Sequence, residues 1–235
     1  MALYSYVKVR YSRARKVAQV ASIFFIFSGS AILFLVIYPI LSFELFYGPK
    51  LAKLISPIPN EIIKQALSGE ISVLGASNID YTKASVWFPK AVNIRLATTN
   101  SFYTLTIPKL NINNANVMVG AEDLSKSLIH FTGPLPGNSG TPVIFGHSSL
   151  PILYNPTNYN YIFTKLTDLK KGDSILIKSD NVTYQYKVFD MHVTTPDDLT
   201  VLQQSYDYQY ITLITCVPQG TYLYRYIVKA RLEKI

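Results

Sequence analysis

The sequence predicts a mainly β protein: a closed or nearly closed barrel with short helices, preceded by one N-terminal membrane-spanning helix. Three observations carry that expectation. Residues 17–43 form an uncharged, largely apolar run. From Ser101 the chain breaks into short segments rich in β-branched and aromatic residues, separated by Gly, Pro, Asn and Asp. Few helical stretches lie between those segments, which is the pattern of a barrel rather than of a layered α/β domain.

The apolar run comes first along the chain. It holds Ile23-Phe24-Phe25-Ile26-Phe27 and Ala31-Ile32-Leu33-Phe34-Leu35-Val36-Ile37. A bilayer core needs about 20 such residues as helix. Ser28, Gly29, Ser30 and Pro39 interrupt the run without ending it, and Tyr38, Tyr47 and Lys50 suit the membrane interface. Lys8, Arg10, Arg13, Arg15 and Lys16 precede it, with no acidic residue among the first sixteen. A basic flank before a span predicts a cytoplasmic N-terminus and an extracytoplasmic remainder at the cell membrane. A cleaved signal peptide, with Val17 to Phe27 as its apolar region, is the competing reading. It is disfavoured because the run continues well past the small residues where cleavage would fall. The expected organisation is a basic tail (1–16), a transmembrane helix (17–43), an extracytoplasmic linker (44–100) and a β-barrel domain (101–235).

Charge and cysteine content narrow the function classes. The formal net charge is +8, but beyond residue 16 the chain carries 17 basic against 14 acidic residues. The basicity is therefore mostly a local N-terminal feature, and no nucleic-acid partner is expected. The lipid bilayer is. One cysteine in 235 residues excludes an internal disulfide and a multi-cysteine zinc site; neither cofactor nor metal is expected. Cysteines outside the cytoplasm usually pair, so a lone one there suggests a reactive thiol.

The linker opens with Pro57 and Pro59. Asn60 to Leu67 then reads as a short amphipathic helix stopped by Gly69. Trp87-Phe88-Pro89 is its one notable cluster, expected to pack on the domain, with a flap over a functional site as the alternative. Tyr103 to Ile107 reads as a strand ended by Pro108, Asn111 to Asn116 as turn, and Glu122 to His130 as a short helix. Gly133 to Gly140 is a loop. Pro142 to His147 is an apolar strand with a histidine at its end. Ile162 to Lys171 is helical or irregular, and Ser174–Lys178 and Val182–Thr194 are strands.

The chemistry gathers at Tyr210-Ile211-Thr212-Leu213-Ile214-Thr215-Cys216, a strand broken by Pro218 and Gly220, and at a second strand from Tyr222 to Leu232. A strand, a short loop and a returning strand most simply form an antiparallel pair. That pairing would set Arg225 beside Cys216, where its charge favours the nucleophilic thiolate and its guanidinium can hold an oxyanion. An inert buried cysteine beside an exposed arginine fits the same residues. Three histidines could partner the thiol. His192 should point outward with Asp190, and His130 should end a helix and cap it. His147, at a strand end behind a glycine that permits close backbone approach, is favoured.

These residues carry a resemblance. Thr212-Leu213-Ile214-Thr215-Cys216 followed by Arg225 resembles the signature of sortases, the membrane-anchored cysteine transpeptidases of bacterial surfaces. The match continues in order through Ile107-Pro108-Lys109-Leu110, His130-Phe131-Thr132-Gly133, Gly137-Asn138-Ser139-Gly140, Phe145-Gly146-His147, Leu166, Leu169, Lys171-Gly172-Asp173, Val193, Pro196, Asp197 and Leu202. It implies an eight-stranded sortase barrel. It also implies that Cys216 attacks the Thr carbonyl of a Leu-Pro-any-Thr-Gly sorting signal on a surface protein. His147 would serve as acid and base, and Arg225 would hold the oxyanion or orient the signal. The acceptor would be an amine of a cell-wall precursor or of another surface protein. A thiol peptidase that releases product to water is the alternative. The chain ends directly after the arginine strand and shows no clear lid motif, so a housekeeping anchoring enzyme is expected over a pilin polymerase.

Overall fold

The structure, a computed structural model, describes residues 13–42, 45, 80–91 and 101–233. Helix α1 (Arg13–Ser42) is long and apolar enough to cross a membrane, with a mean hydropathy of 2.0 over Arg15–Leu35. The expected helix at Asn60 to Leu67 lies outside the described residues.

Eight strands close into a barrel: β1 (Phe102–Ile107), β2 (Ile112–Val119), β3 (Leu128–Thr132), β4 (Val143–Phe145), β5 (Ser174–Ser179), β6 (Val182–Thr194), β7 (Tyr210–Val217) and β8 (Tyr224–Leu232). Their order around the barrel is β1-β2-β3-β4-β7-β8-β6-β5. The pairs β2/β3 and β4/β7 are parallel; the other six are antiparallel. Closure leaves no open sheet edge.

Alternation along the strands sorts side chains into two apolar clusters. Leu105, Val117, Ile144, Ile177, Leu213 and Val228 belong to the one drawn from every part of the barrel wall, its interior. Ile129, Phe131, Val143, Phe145, Ile214 and Ile227 belong to a second cluster, on the outer face of β3, β4, β7 and β8. That face is covered by Ala84, Trp87, Phe88 and Ala91 of the preceding segment and by Val201 and Leu202 of the β6–β7 connection.

Two elements differ from the sequence expectation. Glu122 to His130 is not a helix. The Asp123 carboxylate accepts from Ser125 N (3.0 Å) and Ser125 Oγ (2.5 Å) and pairs with Lys126 (2.8 Å), fixing a turn. Such local bonds compete with helix formation, and β3 starts at Leu128. His130 is therefore a mid-strand residue, not a helix cap. Nor is Asn111 to Asn116 merely turn. Asn111 takes a left-handed conformation (φ 55°) that closes a 3-10 turn at Pro108–Leu110. Ile112, Ala115, Val117 and Val119 then fill the core as β2.

Candidate active site

The β7–β8 pair places the thiol. Cys216 lies directly opposite Arg225 in an unbroken register from Tyr210↔Arg231 to Val217↔Tyr224. Opposed residues of an antiparallel pair share a face, with Cβ atoms roughly 5 Å apart. The expected juxtaposition is therefore present, on the outer face. Both side chains are 1% exposed.

His147 is brought to the same end by β4, which runs parallel to β7 with Phe145 opposite Ile214. Three hydrogen bonds stitch the two strand ends together: Gly146 N to Ile214 O (3.1 Å), Thr215 Oγ1 to Gly146 O (2.7 Å) and Ser148 Oγ to Cys216 O (2.5 Å). A fourth, Phe163 N to His147 O (2.9 Å), holds the histidine backbone from the other side. Gly146 is required by packing, since a Cβ there would sit 2.4 Å from Phe163 and 2.6 Å from Leu128.

The segment 80–91 closes over this end. Trp87 stacks on Phe145 (5.2 Å, 10°) and meets His147 edge-on (5.7 Å, 61°). Arg225 donates to Trp87 O (2.8 Å), Tyr222 O (3.0 Å) and Tyr224 O (3.2 Å), with its guanidinium 5.4 Å from the Trp87 ring centre. The expected packing of Trp87-Phe88-Pro89 on the domain is thus packing on the site itself. Tyr81 stacks on Tyr222 of the β7–β8 loop (4.0 Å), and Lys90 pairs with exposed Asp197 (3.3 Å).

The electrostatics correct one expectation. Burial pushes the Cys216 thiol up to about 11, and the opposing pull of Arg225 is smaller. The free site therefore holds a thiol rather than a thiolate. Burial also lowers His147 from its ordinary value, so its imidazole is neutral at pH 7. His147 Nε2 and Arg225 Nε are buried with no hydrogen-bond partner among the described residues. A neutral imidazole with an open nitrogen can accept the proton a thiol must lose.

A family model, Sortase domain, matches residues 105–233, more than half of the chain. The chain belongs to the sortase family. No curated protein matches it. Among solved structures it is similar to Group B Streptococcus Pilus Island 1 Sortase C2 (25% identity, 63% of this chain and 85% of that one, TM-score 0.50). It is also similar to sortase A from Corynebacterium diphtheriae, lid mutant (24%, 75% and 94%, 0.50). A third similarity is to sortase C-1 from Actinomyces oris (23%, 75% and 100%, 0.50). The last two share the fold.

In this sortase the other two histidines stand apart from the thiol. His130 bonds Tyr103 and Gly133 O within the barrel wall. His192 leans on Asp190 (3.1 Å) across the outer face of β6. Sequence reasoning misses Ser148 and Thr215 as the clasps of the histidine loop, and the Trp87 carbonyl as the partner of Arg225. For the clasps the usable signal is hydroxyl side chains beside both His147 and Cys216. For the carbonyl, nothing local points across 138 residues. Among the described residues no group of three or more His, Cys, Asp or Glu could hold a metal ion.

Proposed function

We propose that this sortase transfers polypeptides through a Cys216 thioester, with His147 as acid and base and Arg225 as the oxyanion donor. The observation that carries the reading is the buried thiol opposite Arg225, clasped to a histidine loop whose Nε2 lacks a partner. Cys216 Sγ bonds the carbonyl carbon of the Thr in a Leu-Pro-any-Thr-Gly signal, and its proton passes to His147. The Thr–Gly bond breaks, and the departing amine leaves with that proton. An incoming amine then attacks the thioester, loses a proton to His147, and Cys216 regains it as the sulfur leaves. Two acyl-transfer steps replace one difficult amide exchange. Charge on the carbonyl oxygen develops beside Arg225, where a fixed donor is most effective.

Trp87 and Phe88 occupy the outer face that leads to the thiol, so the donor must displace them. Substrates are surface proteins bearing the signal, and the acceptor is an amine of a cell-wall precursor or of another surface protein. Helix α1 anchors the enzyme, and its basic leader sets the N-terminus in the cytoplasm. Protease added to intact cells should then remove the barrel and spare the tail; a protected barrel would reverse the orientation.

The test is a peptide carrying the signal, mixed with the full chain in detergent, with and without a glycine-based amine. Amine-dependent joined product supports transfer. Cleaved acid alone, unchanged by amine, would make the enzyme a thiol peptidase instead. An intact peptide in both arms would reject the reading.

A further inference from the structure

We infer that a cavity at the far end of the outer face is a specificity subsite for an acidic side chain immediately preceding the sorting motif. This rests on the donor reading above. The cavity has a volume of about 230 Å³, enough for a single side chain, and Thr212, Lys229, Gln203, Ser205, Tyr210 and Asp190 line it.

Geometry connects it to the thiol. Thr212, Ile214 and Cys216 alternate onto one face of β7, and the apolar floor under Trp87 and Phe88 leads from Cys216 past Ile214 and Ile227 to Thr212. Strands rise roughly 3.3 Å per residue, so Thr212 and Cys216 are about 13 Å apart along β7. Four residues of an extended donor span the same length. With the acyl carbonyl at Cys216, the motif covers the apolar floor and the next residue back falls at the cavity.

The lining defines what that residue should be. Lys229 lies opposite both Thr212 on β7 and Asp190 on β6. Among the described residues its ammonium has no ion-pair or hydrogen-bond partner. Thr212 is 0% exposed, yet its Oγ1 has no partner among the described residues. A buried hydroxyl without a partner is uncommon and costly. Asp190 lines the same cavity and brings its own negative charge, with one of its oxygens turned to His192. Asp190 Oδ2 meets His192 Nδ1 at 3.1 Å, and Asp207 accepts from Ser205 and from Tyr210 (3.0 Å). Beside Asp190, the lining offers one cation and one hydroxyl without partners among the described residues, groups that a carboxylate can bond.

Three fluorescein-labelled peptides test this, identical except for Glu, Gln or Lys directly before Leu-Pro-Ala-Thr-Gly. Binding is read by anisotropy on the full chain carrying Cys216→Ala in detergent, and turnover on the unmodified full chain. The Glu peptide should bind about tenfold more tightly than the Lys peptide, with Gln between them, the scale of one well-placed charge contact. Lys229→Glu should invert that order. Thr212→Val, which keeps shape and removes the hydroxyl, should weaken the Glu peptide several-fold. Equal binding of all three, or a preference surviving Lys229→Glu, overturns the inference. Equal turnover of all three sinks the subsite while leaving the transfer reading intact. Charge-dependent binding without turnover sinks the transfer reading and keeps the subsite. Neither binding nor turnover sinks both.

Discussion

His130 and His147 lie close together in the fold, one on β3 and the other just beyond β4, and both are buried. Burial lowers both from the ordinary histidine value, His130 to about 4. Their partners differ. His130 Nδ1 meets the Tyr103 hydroxyl at 3.1 Å and Nε2 meets Gly133 O at 3.2 Å. His147 Nε2 meets nothing among the described residues. A buried histidine with both nitrogens satisfied is a wall element. One held rigidly by its backbone, with a nitrogen unfilled, is available for a proton. On the proposed mechanism, satisfaction rather than burial or pKa is what separates His130 from His147.

The largest effect should come from the thiol that the proposed mechanism assigns to His147. Cys216→Ala should abolish transfer, because no second thiol exists in the chain. Circular dichroism should stay native-like, since the deleted group is small. Appreciable transfer by a folded Cys216→Ala protein would remove the chemistry from this end of the barrel altogether.

Next is His147 itself. His147→Ala should slow acyl transfer at least about a hundredfold, the usual worth of a positioned acid–base group. His130→Ala should slow it by no more than a few-fold, and His192→Ala likewise. Single-turnover rates decide it, and the reverse order would invert the comparison. Arg225→Lys should also lose roughly a hundredfold in transfer, because an ammonium cannot reproduce a planar, multi-donor fork. Labelling of Cys216 by a small alkylating agent should be retained in that variant. Near-normal transfer would reduce Arg225 to a charge effect.

The smallest effect on rate, and the clearest on stability, belongs to His130. Its folded pKa of about 4 lies below the ordinary value of about 6.5. The fold therefore favours neutral imidazole. That contribution is complete above pH 6.5 and is lost as pH falls towards 4. It amounts to on the order of 3 kcal/mol, since His130 is fully buried. His147 acts in the same direction. The urea midpoint should drop between pH 7 and 4.5 and drop less in His130→Asn. An equal drop in both proteins would assign the acid sensitivity elsewhere.

Several of these elements are legible in the sequence for definite reasons. β7 and β8 are dense in β-branched residues and joined by a short loop, so the pairing of Cys216 with Arg225 follows from chain connectivity. The strand into His147 and the apolar α1 are equally plain. β3 is not. Leu128, Ile129, His130, Phe131 and Thr132 are all buried because this part of the wall is covered outside as well as filled inside. Burial on both faces erases the alternation that marks a strand. β2 hides behind Asn111, Asn113, Asn114 and Asn116, whose turn preference is real at Asn111 and Asn114, both at positive φ. The elevated thiol pKa was also out of reach: a cation beside a cysteine can be read from spacing, but the depth of burial that outweighs it cannot.

The cover formed by Trp87 and Phe88 has a consequence for affinity. On the proposed donor path it is a competitor on a tether, present at a fixed effective concentration that no dilution reduces. Any incoming peptide is measured against it, and its apparent dissociation constant is the intrinsic one divided by the fraction of molecules with the face uncovered. Each 1.4 kcal/mol with which the cover holds on weakens apparent binding tenfold. A short peptide that replaces only part of the Trp87 and Phe88 contacts is penalised in full. A longer donor that spans the apolar floor and reaches past it recovers more. If donors take the proposed path, the covered face should discriminate them by length, and Trp87, the chain's single tryptophan, offers a fluorescence signal with which to watch the exchange.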